Sequence, residues 1–434
     1  MGGIGHLTRA RRGPASKRIA AVLLAGGFAW SCASPVAAGI GLATSSASRL
    51  PGSPTAAGAA AAAIDAFGFD LYAKVANGNG NLVFSPASIA TALAMAEVGA
   101  RGETATQMDA VLHVGQGAAS GAGFGSLDEA LAALSGSFRD AAGNDRQVQL
   151  RVVNAPFGQS GMHIEQAYLD LLAARYGAGL RLVDYRNDPD GACKLIDDWV
   201  GGQTEGRIPK LLDRLDSDTR LVLVNATYLK APWQDPFSID ATTSADFTRG
   251  DGTRVSVPTM NAASTISYGS GAGWQAVELP YIGGSLAMTI VVPDDLAAFE
   301  KTLDAARFAA IVGALKPATV ELSLPRFKAE TKTDLATVLA GMGMPLAMDP
   351  VRADFSGITS DERLFIEKVV HQADISVDEK GTEATAATAV VMAIATAVPS
   401  TVKLRVDRPF LFALRDTTTG AILFLGRIFD PSAG

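Results

Sequence analysis

The chain has 434 residues, of which 48% are hydrophobic and 19% are charged. This composition supports a large hydrophobic core and excludes an intrinsically disordered chain. Length alone predicts two or three domains. The two cysteines, Cys32 and Cys193, have neither the spacing of a metal site nor the number that a disulfide framework needs.

Residues 1–38 are typical of an export signal. A basic region comes first, an apolar run follows over residues 19–30, and small residues at 36–38 offer a cleavage point before Gly39. The Ser31-Cys32 pair leaves a second interpretation open, in which the protein is lipid-anchored through Cys32. We therefore expect an exported protein, extracellular or held in the cell envelope.

Removal of the predicted signal would make the protein more acidic. Residues 1–38 hold five basic residues and no acidic ones, so the formal net charge would change from −7 to −12. A strongly acidic product argues against nucleic acid or an anionic membrane surface as a partner.

The segment after the signal, residues 39–63, is rich in Ala, Gly, Ser and Pro. This composition is typical of a flexible spacer. From Ile64 onward, apolar residues recur at helical spacing. Ser85 and Pro86 then fit the N-cap and the first position of a helix that ends near Gly99. Near the C-terminus, residues 409–429 predict a hairpin of buried strands.

The sequence contains no recognisable catalytic constellation. Its four histidines are His6, His113, His163 and His371, and the chain has no HExxH, GxSxG or CxxC motif. It also lacks the glycine-rich motifs that hold nucleotides. We therefore expect a protein that is not an enzyme and that needs neither a metal nor a cofactor.

The stretch Glu379–Thr401 has an unusual composition. It has no proline between Gly381 and Val398 and no charge after Glu383. With a period of two, one face is small or apolar throughout, as a buried strand requires. Its alanine content nevertheless gives weak preference for a strand. The stretch could enter a sheet without being bound to stay there, or it could be a low-complexity Ala/Thr linker.

Several strings resemble the serpin family. They are NLVFSPASIATALAMAEVGARGETATQM at 81–108, KLIDDWVGGQTEGRIPKLL at 194–212, LVLVNATYL at 221–229, DFSGI at 354–358, and EKGTEATAAT at 379–388 with DRPF at 407–410. The resemblance implies one serpin domain over residues 64–434 with an α+β fold. Three β-sheets, about eight or nine helices and an exposed reactive loop at about 379–401 are expected.

The resemblance also implies roles for individual residues. Ser85 and Ser88 would lie under the central sheet in a sheet-opening region, where His371 would hydrogen-bond to Asn225. Thr385 is the one departure from the family's usual alanine run in the hinge of the reactive loop. That hinge would comprise Glu379, Gly381, Thr382, Glu383, Ala384, Thr385 and Ala386.

The implied function is inhibition of serine proteases. The protease would form a covalent acyl complex with the loop, which would then insert into the central sheet as an extra strand. The family's spacing from Glu379 places the reactive bond at Ala395–Thr396, with Ile394 and Met392 as alternative reactive residues. A small residue there suits elastase-like or subtilisin-like proteases. The inhibitor would be a monomer.

A second function class fits the same resemblance. Some serpins are not inhibitors and act as carriers, chaperones or structural proteins. Such members tend to have bulky, charged or proline residues in the hinge, whereas Gly381-Thr382-Glu383-Ala384 is unobstructed. We therefore expect an inhibitor, with the non-inhibitory serpin as the alternative.

Overall fold

A computed structural model describes Gly2 and residues 39–76, 78, 80–115, 120–382 and 401–433. The chain divides into two units, Met1–Pro35 and Val36–Gly434, and the fold below belongs to the second. Several predictions therefore lie outside the described residues. These are the export signal apart from Gly2, Cys32, the hinge residues Glu383, Ala384, Thr385 and Ala386, the alternatives Met392 and Ile394, and the bond Ala395–Thr396.

Within the described ranges the chain forms nine α-helices. None of them is both long enough and apolar enough to cross a membrane. The predicted start of the second helix is confirmed, because the Ser85 hydroxyl accepts a hydrogen bond from the Ser88 amide and Pro86 takes the first helical position. The helices are α1 Pro54–Val75, α2 Pro86–Glu97, α3 Gly102–Val111, α4 Ser120–Ala132, α5 Gln166–Tyr176, α6 Pro189–Gln203, α7 Leu296–Glu300, α8 Ala305–Ala314 and α9 Ala336–Met342.

The strands of the described residues differ widely in length. The last two form the predicted C-terminal hairpin. In chain order they are β1 Gly41–Ala43, β2 Leu82–Phe84, β3 Gly136–Arg139, β4 Asp145–Gln159, β5 Leu180–Val183, β6 Leu221–Pro232, β7 Thr243–Thr248, β8 Arg254–Gly271, β9 Trp274–Pro280, β10 Leu286–Pro293, β11 Lys316–Pro325, β12 Phe327–Asp334, β13 Lys368–Asp378, β14 Gly381–Thr382, β15 Val402–Arg405, β16 Phe410–Asp416 and β17 Ile422–Ile428.

These strands pair into two sheets. The first, called the central sheet here, has the order β1-β5-β4-β6-β14-β13-β12, with β3 paired to β4. The second has the order β15-β11-β8-β9-β10-β16-β17-β2, with β7 paired to β8. Three sheets were expected from the resemblance. The described strands give two, because the 18-residue β8 pairs with β7 and β11 along most of its length and with β9 at its end.

The central sheet is covered on both faces in its middle. Leu223 and Leu229 of β6 belong to the main hydrophobic core, whereas Val222 and Val224 belong to a second cluster that includes residues of α6. Successive side chains of a strand point to opposite faces. A strand covered on both faces therefore needs apolar residues at nearly every position, which explains the near-continuous apolar run in β6.

The predicted flexible spacer over residues 39–63 is wrong. Residues 41–43 form β1, and helix α1 begins at Pro54, ten residues before Ile64. The Ser53 hydroxyl caps this helix, and Ala57, Ala60 and Ala61 are buried. The alanine run has high helix propensity and small side chains that allow close packing against α4. Its composition alone could not distinguish a spacer from such a buried helix.

Two matched substitutions in α1 test this correction. Ala61 is 1% exposed, whereas its neighbour Ala62 is exposed. We expect Ala61→Asp to lower the free energy of unfolding by several kcal/mol, because it buries a charge without a partner. Ala62→Asp should change it by less than about 0.5 kcal/mol. Chemical denaturation measures both, and equal small effects would restore the spacer interpretation.

Candidate functional site

The candidate site lies where β6 and β13 run side by side in the central sheet. Residues 222–227 of β6 pair in parallel with residues 368–373 of β13, and we call this stretch the β6–β13 seam. Above the seam, β14 lies between the same two strands. Gly381 and Thr382 of β14 pair with Pro232 and Ala231 on one side and with Asp378 and Val377 on the other. The start of the predicted hinge is therefore already a short strand in the sheet.

Gly381 makes this entry into the sheet possible. Its φ of +145° is a backbone conformation that residues other than glycine rarely adopt. A Cβ at this position would lie 2.2 Å from the backbone oxygen of Ala231. Only glycine fits here, which explains why the predicted hinge has a glycine at position 381.

Glu379 is fixed in the turn that joins β13 to β14. Its side chain is 4% exposed, and the Arg326 guanidinium donates to Glu379 Oε1 at 2.8 Å from Nε and 2.6 Å from Nη2. The Thr242 hydroxyl donates to the same oxygen. Burial acts to raise the pKa of Glu379, but the hydrogen bonds from Arg326 and Thr242 outweigh it and lower the pKa below its ordinary value. The carboxylate is therefore ionised at neutral pH.

Thr382 is 1% exposed and faces the main core side of the sheet. Its hydroxyl lies 2.5 Å from the Tyr281 hydroxyl. The Tyr281 ring stacks on Trp233 with 4.4 Å between ring centroids, and the Trp233 indole N–H donates to the backbone oxygen of Asp378 at 2.9 Å. The reactive loop was expected to be exposed from Glu379 onward. That expectation is wrong for residues 379–382, because Glu379, Gly381 and Thr382 are buried and the Lys380 backbone oxygen accepts from the Trp233 amide at 2.9 Å.

The predicted hydrogen bond between His371 and Asn225 is confirmed, and it crosses the seam. His371 Nδ1 faces Asn225 Oδ1, and His371 Nε2 accepts from the Ser85 amide at 3.1 Å. Complete burial lowers the pKa of His371 from 6.5 to about 3, so the ring is neutral at pH 7. Because Nε2 accepts, the single ring proton sits on Nδ1 and is donated to Asn225.

The two predicted serines lie directly beneath this pair. Ser85 and Ser88 are fully buried at the start of α2. Ser88 Oγ lies 2.8 Å from the side-chain amide of Asn154 on β4, the neighbour of β6. The four residues of the predicted sheet-opening region therefore come together. They link α2 to the strands β4, β6 and β13 of the central sheet.

Two buried polar atoms of β6 lack partners within the described part of the chain. They are Asn225 Nδ2 and Thr227 Oγ1. Asn225 is fully buried and Thr227 is 1% exposed, and both face the main core side of the sheet. A buried donor or acceptor without a partner costs about 1–3 kcal/mol. The seam therefore stores unfavourable free energy that an added hydrogen-bonding group could remove.

Three contacts of the hinge were not found from the sequence. Arg326, Thr242 and Tyr281 come from separate segments and converge on Glu379 and Thr382 only in the fold. No spacing pattern could have joined them, because the partners are up to 137 residues apart in the chain. Among the described residues, no group of His, Cys, Asp and Glu side chains could hold a metal ion.

Comparison with known proteins identifies this arrangement. The family model for serpin (serine protease inhibitor) matches residues 62–431. The chain belongs to the serpin family. It is 39% identical over 378 residues to an uncharacterized serpin-like protein of Thermococcus kodakarensis, covering 86% of each chain. It is 34% identical over 380 residues to human leukocyte elastase inhibitor, covering 84% of this chain and 97% of the inhibitor.

Solved structures agree with the serpin fold. The crystal structure of tengpin, a thermophilic serpin in the native state, superposes with a TM-score of 0.76 at 25% identity. The match covers 90% of this chain and 99% of tengpin. The crystal structure of human thyroxine-binding globulin superposes with a TM-score of 0.75 at 26% identity. The α+β serpin fold expected from the sequence is therefore confirmed.

The neutral, buried His371 predicts a pH dependence of stability. Its pKa is about 3 in the fold and 6.5 when exposed, so below pH 6.5 the unfolded chain binds a proton that the folded chain does not. Stability from this group is present above pH 6.5 and is lost as pH falls toward 3. Between pH 8 and pH 5 the loss is about 2 kcal/mol.

We expect His371→Gln to remove this slope, although its stability at pH 8 will be lower. Urea denaturation of parent and variant at several pH values measures the difference in slope. His163→Gln, at an exposed position, is the matched control and should keep the parental slope. Parallel curves for His371→Gln and the parent would contradict a neutral His371.

The Glu379–Arg326 ion pair predicts a second pH-dependent contribution to stability, which Arg326→Ala tests. Arg326→Ala leaves the buried Glu379 carboxylate with the Thr242 hydroxyl as its remaining side-chain partner. At pH 7 we expect the free energy of unfolding to fall by about 1–3 kcal/mol. Because the pKa of Glu379 is lowered, the pair stabilises the fold above its ordinary pKa of 4.5 and loses this effect as pH falls through the lowered pKa.

The destabilisation by Arg326→Ala should therefore shrink at pH 3. Arg352→Ala, which breaks a more exposed pair with Asp349, is the control and should have little effect at either pH. A loss of stability in Arg326→Ala that does not change with pH would show that lost packing, rather than the charge pair, causes it.

Proposed function

We propose that this serpin is an inhibitor of serine endopeptidases that traps its target as a suicide substrate. The observation that carries the proposal is the placement of β14, whose two residues already pair with both β6 and β13. Below β14, the seam joins β6 to β13 directly over six residue pairs. A loop cut after the hinge could extend β14 by separating these six pairs.

The register of β14 defines where an inserting loop would lie. Gly381 and Thr382 pair with Pro232 and Ala231 of β6, in antiparallel order. Continuing this order would place Thr388 opposite Asn225, and the pairing of β14 with β13 would place it opposite His371 on the other side. The Thr388 hydroxyl would then reach the Asn225 amide nitrogen, which has no partner in the described structure. This complementarity supports insertion at the seam.

The energetics favour such a change. Insertion would replace one row of pairing between β6 and β13 with two rows, one on each side of the new strand. Each added backbone hydrogen bond contributes about 1 kcal/mol net. About a dozen inserted residues would contribute several kcal/mol after the cost of ordering the loop is subtracted. The uninserted protein would accordingly be metastable.

The target class follows from the residue before the reactive bond. We assign that bond to Ala395–Thr396, from the spacing after Glu379. A small side chain fits the shallow apolar pockets of elastase-like and subtilisin-like proteases. The similarity to leukocyte elastase inhibitor supports this class. We also propose that residues 1–38 direct export, so that the inhibitor meets its target outside the cell or in the cell envelope.

Incubation with an elastase-like protease tests the proposal. We expect a covalent complex that survives a denaturing gel, and a released C-terminal fragment that begins at Thr396 by mass spectrometry. Ala395→Arg should shift inhibition toward trypsin-like proteases, because the acidic pocket of such a protease would form a charge-assisted hydrogen bond with the arginine. Complete cleavage without a complex would support the non-inhibitory alternative. A different fragment start would move the reactive bond.

A pair of arginine substitutions tests the insertion register. In the register above, Thr388 would face the core side between Asn225 and His371, whereas Thr385 would face the opposite side beside Asp374. Among the described residues Asp374 Oδ1 has no hydrogen-bond partner, and Oδ2 pairs only at 3.9 Å with Lys328, so an arginine next to this carboxylate would find an opposite charge. Thr388→Arg would have to bury an unpaired charge.

We expect Thr388→Arg to be cleaved as a substrate without trapping the protease, and Thr385→Arg to keep trapping. The measurement is the number of moles of inhibitor consumed per mole of protease inactivated. A reversed result, with Thr385→Arg as the substrate, would mean that the register is shifted by one residue.

A further inference from the structure

Helix α2 connects the β6–β13 seam to a group of buried charged residues at its other end. All twelve residues of α2 are buried, and a helix of this length spans about 18 Å. Its N-cap residue, Ser85, donates its amide hydrogen to His371 Nε2 at the seam. Its last residue, Glu97, is only 8% exposed although it carries a carboxyl group. A change at Glu97 can therefore reach the seam through one buried helix.

The carboxyl group of Glu97 lies against a second buried carboxyl group. Asp109 of α3 is 4% exposed, and the two side chains are hydrogen-bonded to each other. An ionised carboxylate can only accept hydrogen bonds, so this bond requires a proton on one of the two groups. With both groups ionised, two like charges would face each other away from water. The pair therefore shares one proton in this arrangement.

Two arginines lie near the pair and compensate its charge only in part. Arg175 of α5 is 8% exposed, and Arg101 follows α2 and donates to two backbone oxygens at the end of that helix, at 3.1 and 2.7 Å. Burial and the neighbouring Asp109 raise the pKa of Glu97 to about 7, although both arginines act to lower it. The shared proton is therefore lost near neutral pH.

Other ionisable groups lie near the pair on α4, on α5 and in the segment at 354. Tyr168 and Tyr176 of α5 are buried, and burial raises the pKa of both. Asp128 of α4 pairs with Arg49 at 2.7 Å. Hydrogen bonds from a neighbouring serine lower the pKa of Asp354. Both tyrosines and Asp354 thus keep one charge state near neutral pH, and Asp128 has its own cationic partner.

We propose that the Glu97–Asp109 pair is a proton-controlled contact that sets, through α2, how readily the β6–β13 seam opens. The inference deepens the proposed insertion mechanism and rests on it. With the shared proton in place, a hydrogen bond joins the end of α2 to α3. Loss of the proton leaves two buried like charges, which loosen this end of α2 and so weaken its hold on the seam. This contribution makes the seam easier to open at mildly alkaline pH.

The direction of the effect follows from the proton balance. The pKa of Glu97 is 4.5 when exposed and about 7 in the fold, so between these values the folded chain binds a proton that the opened chain does not. Stability from the pair is present below pH 4.5 and is lost as pH rises through 7. His371 has the opposite dependence, because its contribution is lost as pH falls. The test must therefore separate the two groups.

Hydrogen exchange of the full chain between pH 5 and pH 8, followed by mass spectrometry, tests the proposal. Glu97→Gln keeps a donor for Asp109 and does not titrate, so it reproduces the protonated pair at every pH. The ratio of parental to variant exchange rates cancels both the intrinsic pH dependence of exchange and the effect of His371. For amides at the end of α2 and in α3, we expect this ratio to rise by about tenfold or more from pH 5 to pH 8. For amides of β6 and β13 at the seam, we expect a rise of about twofold or more.

A second variant and a control come from the same helices. Asp109→Asn removes the like charge and keeps a hydrogen-bonding group, so its Glu97 should ionise at lower pH. The ratio of parental to Asp109→Asn rates should therefore also rise with pH, by a smaller factor, and it provides the same test if Glu97→Gln does not fold. Glu103→Gln, at an exposed position in the first turn of α3, is the control. Its ratio should not change with pH.

Two outcomes would overturn the proposal. A ratio that stays constant with pH at α2 and α3 would show that the pair does not exchange a proton in this range. A rise at α2 and α3 with a constant ratio at the seam would show that α2 does not transmit the change. Neither measurement uses a protease. A pH-dependent ratio at the seam in a chain that forms no covalent protease complex would support this inference and contradict the proposed inhibition.

Discussion

The direct pairing of β6 with β13 is the interaction on which the rest of this structure depends. It closes the central sheet over only six residue pairs, and β14 already separates the same two strands above it. Parallel pairing is slightly less stable per residue than antiparallel pairing. Asn225 Nδ2 and Thr227 Oγ1, which lack partners among the described residues, weaken the seam further. A sheet of this kind has enough strand pairing to fold, and it can still accept an additional strand between β6 and β13.

Directional contacts hold the sheet above this seam and within it. Above it, the Glu379–Arg326 pair and the Tyr281–Trp233 stack fix the hinge in one position. Below the hinge, His371 joins β13 to Asn225 of β6 and to the first turn of α2. These contacts are directional and lie in buried surroundings, where hydrogen bonds are strong when complete and costly when broken. They therefore favour two discrete arrangements over a gradual opening.

The sequence could predict the parts of this site that lie within continuous motifs. The cap at Ser85 follows from local chemistry, and the pairing of His371 with Asn225 followed from strings that resemble the serpin family. Arg326 and Tyr281 were missed because their role exists only after distant segments meet. Thr382 was expected to be exposed, since alternation indicates a face but cannot show how far a strand extends into the sheet.

The structure of residues 39–63 was missed for a different reason. Glycine, alanine and serine carry little hydrophobic periodicity, so the same composition fits a loose spacer, an edge strand or a buried helix. Within residues 39–63 the structure has an edge strand, β1, and the start of a buried helix, α1. What decides between them is the surface against which the segment packs. This surface includes Gly179, where a Cβ would lie 2.4 Å from the Ala43 backbone oxygen, and the α4 carboxylates that accept from Arg49 and from the Gly52 amide. That surface comes from residues more than 70 positions away.

The second sheet has a consequence for a chain that has been cut between residues 382 and 401. The C-terminal piece would contribute β15 beside β11, β16 between β10 and β17, and β17 beside β2. Its Phe410, Phe412 and Phe424 are fully buried in the main core. Such a piece has no covalent link to the rest, yet its removal would open the interior of the molecule. The nicked protein would therefore migrate as one particle in native buffer and separate into two polypeptides only in denaturant.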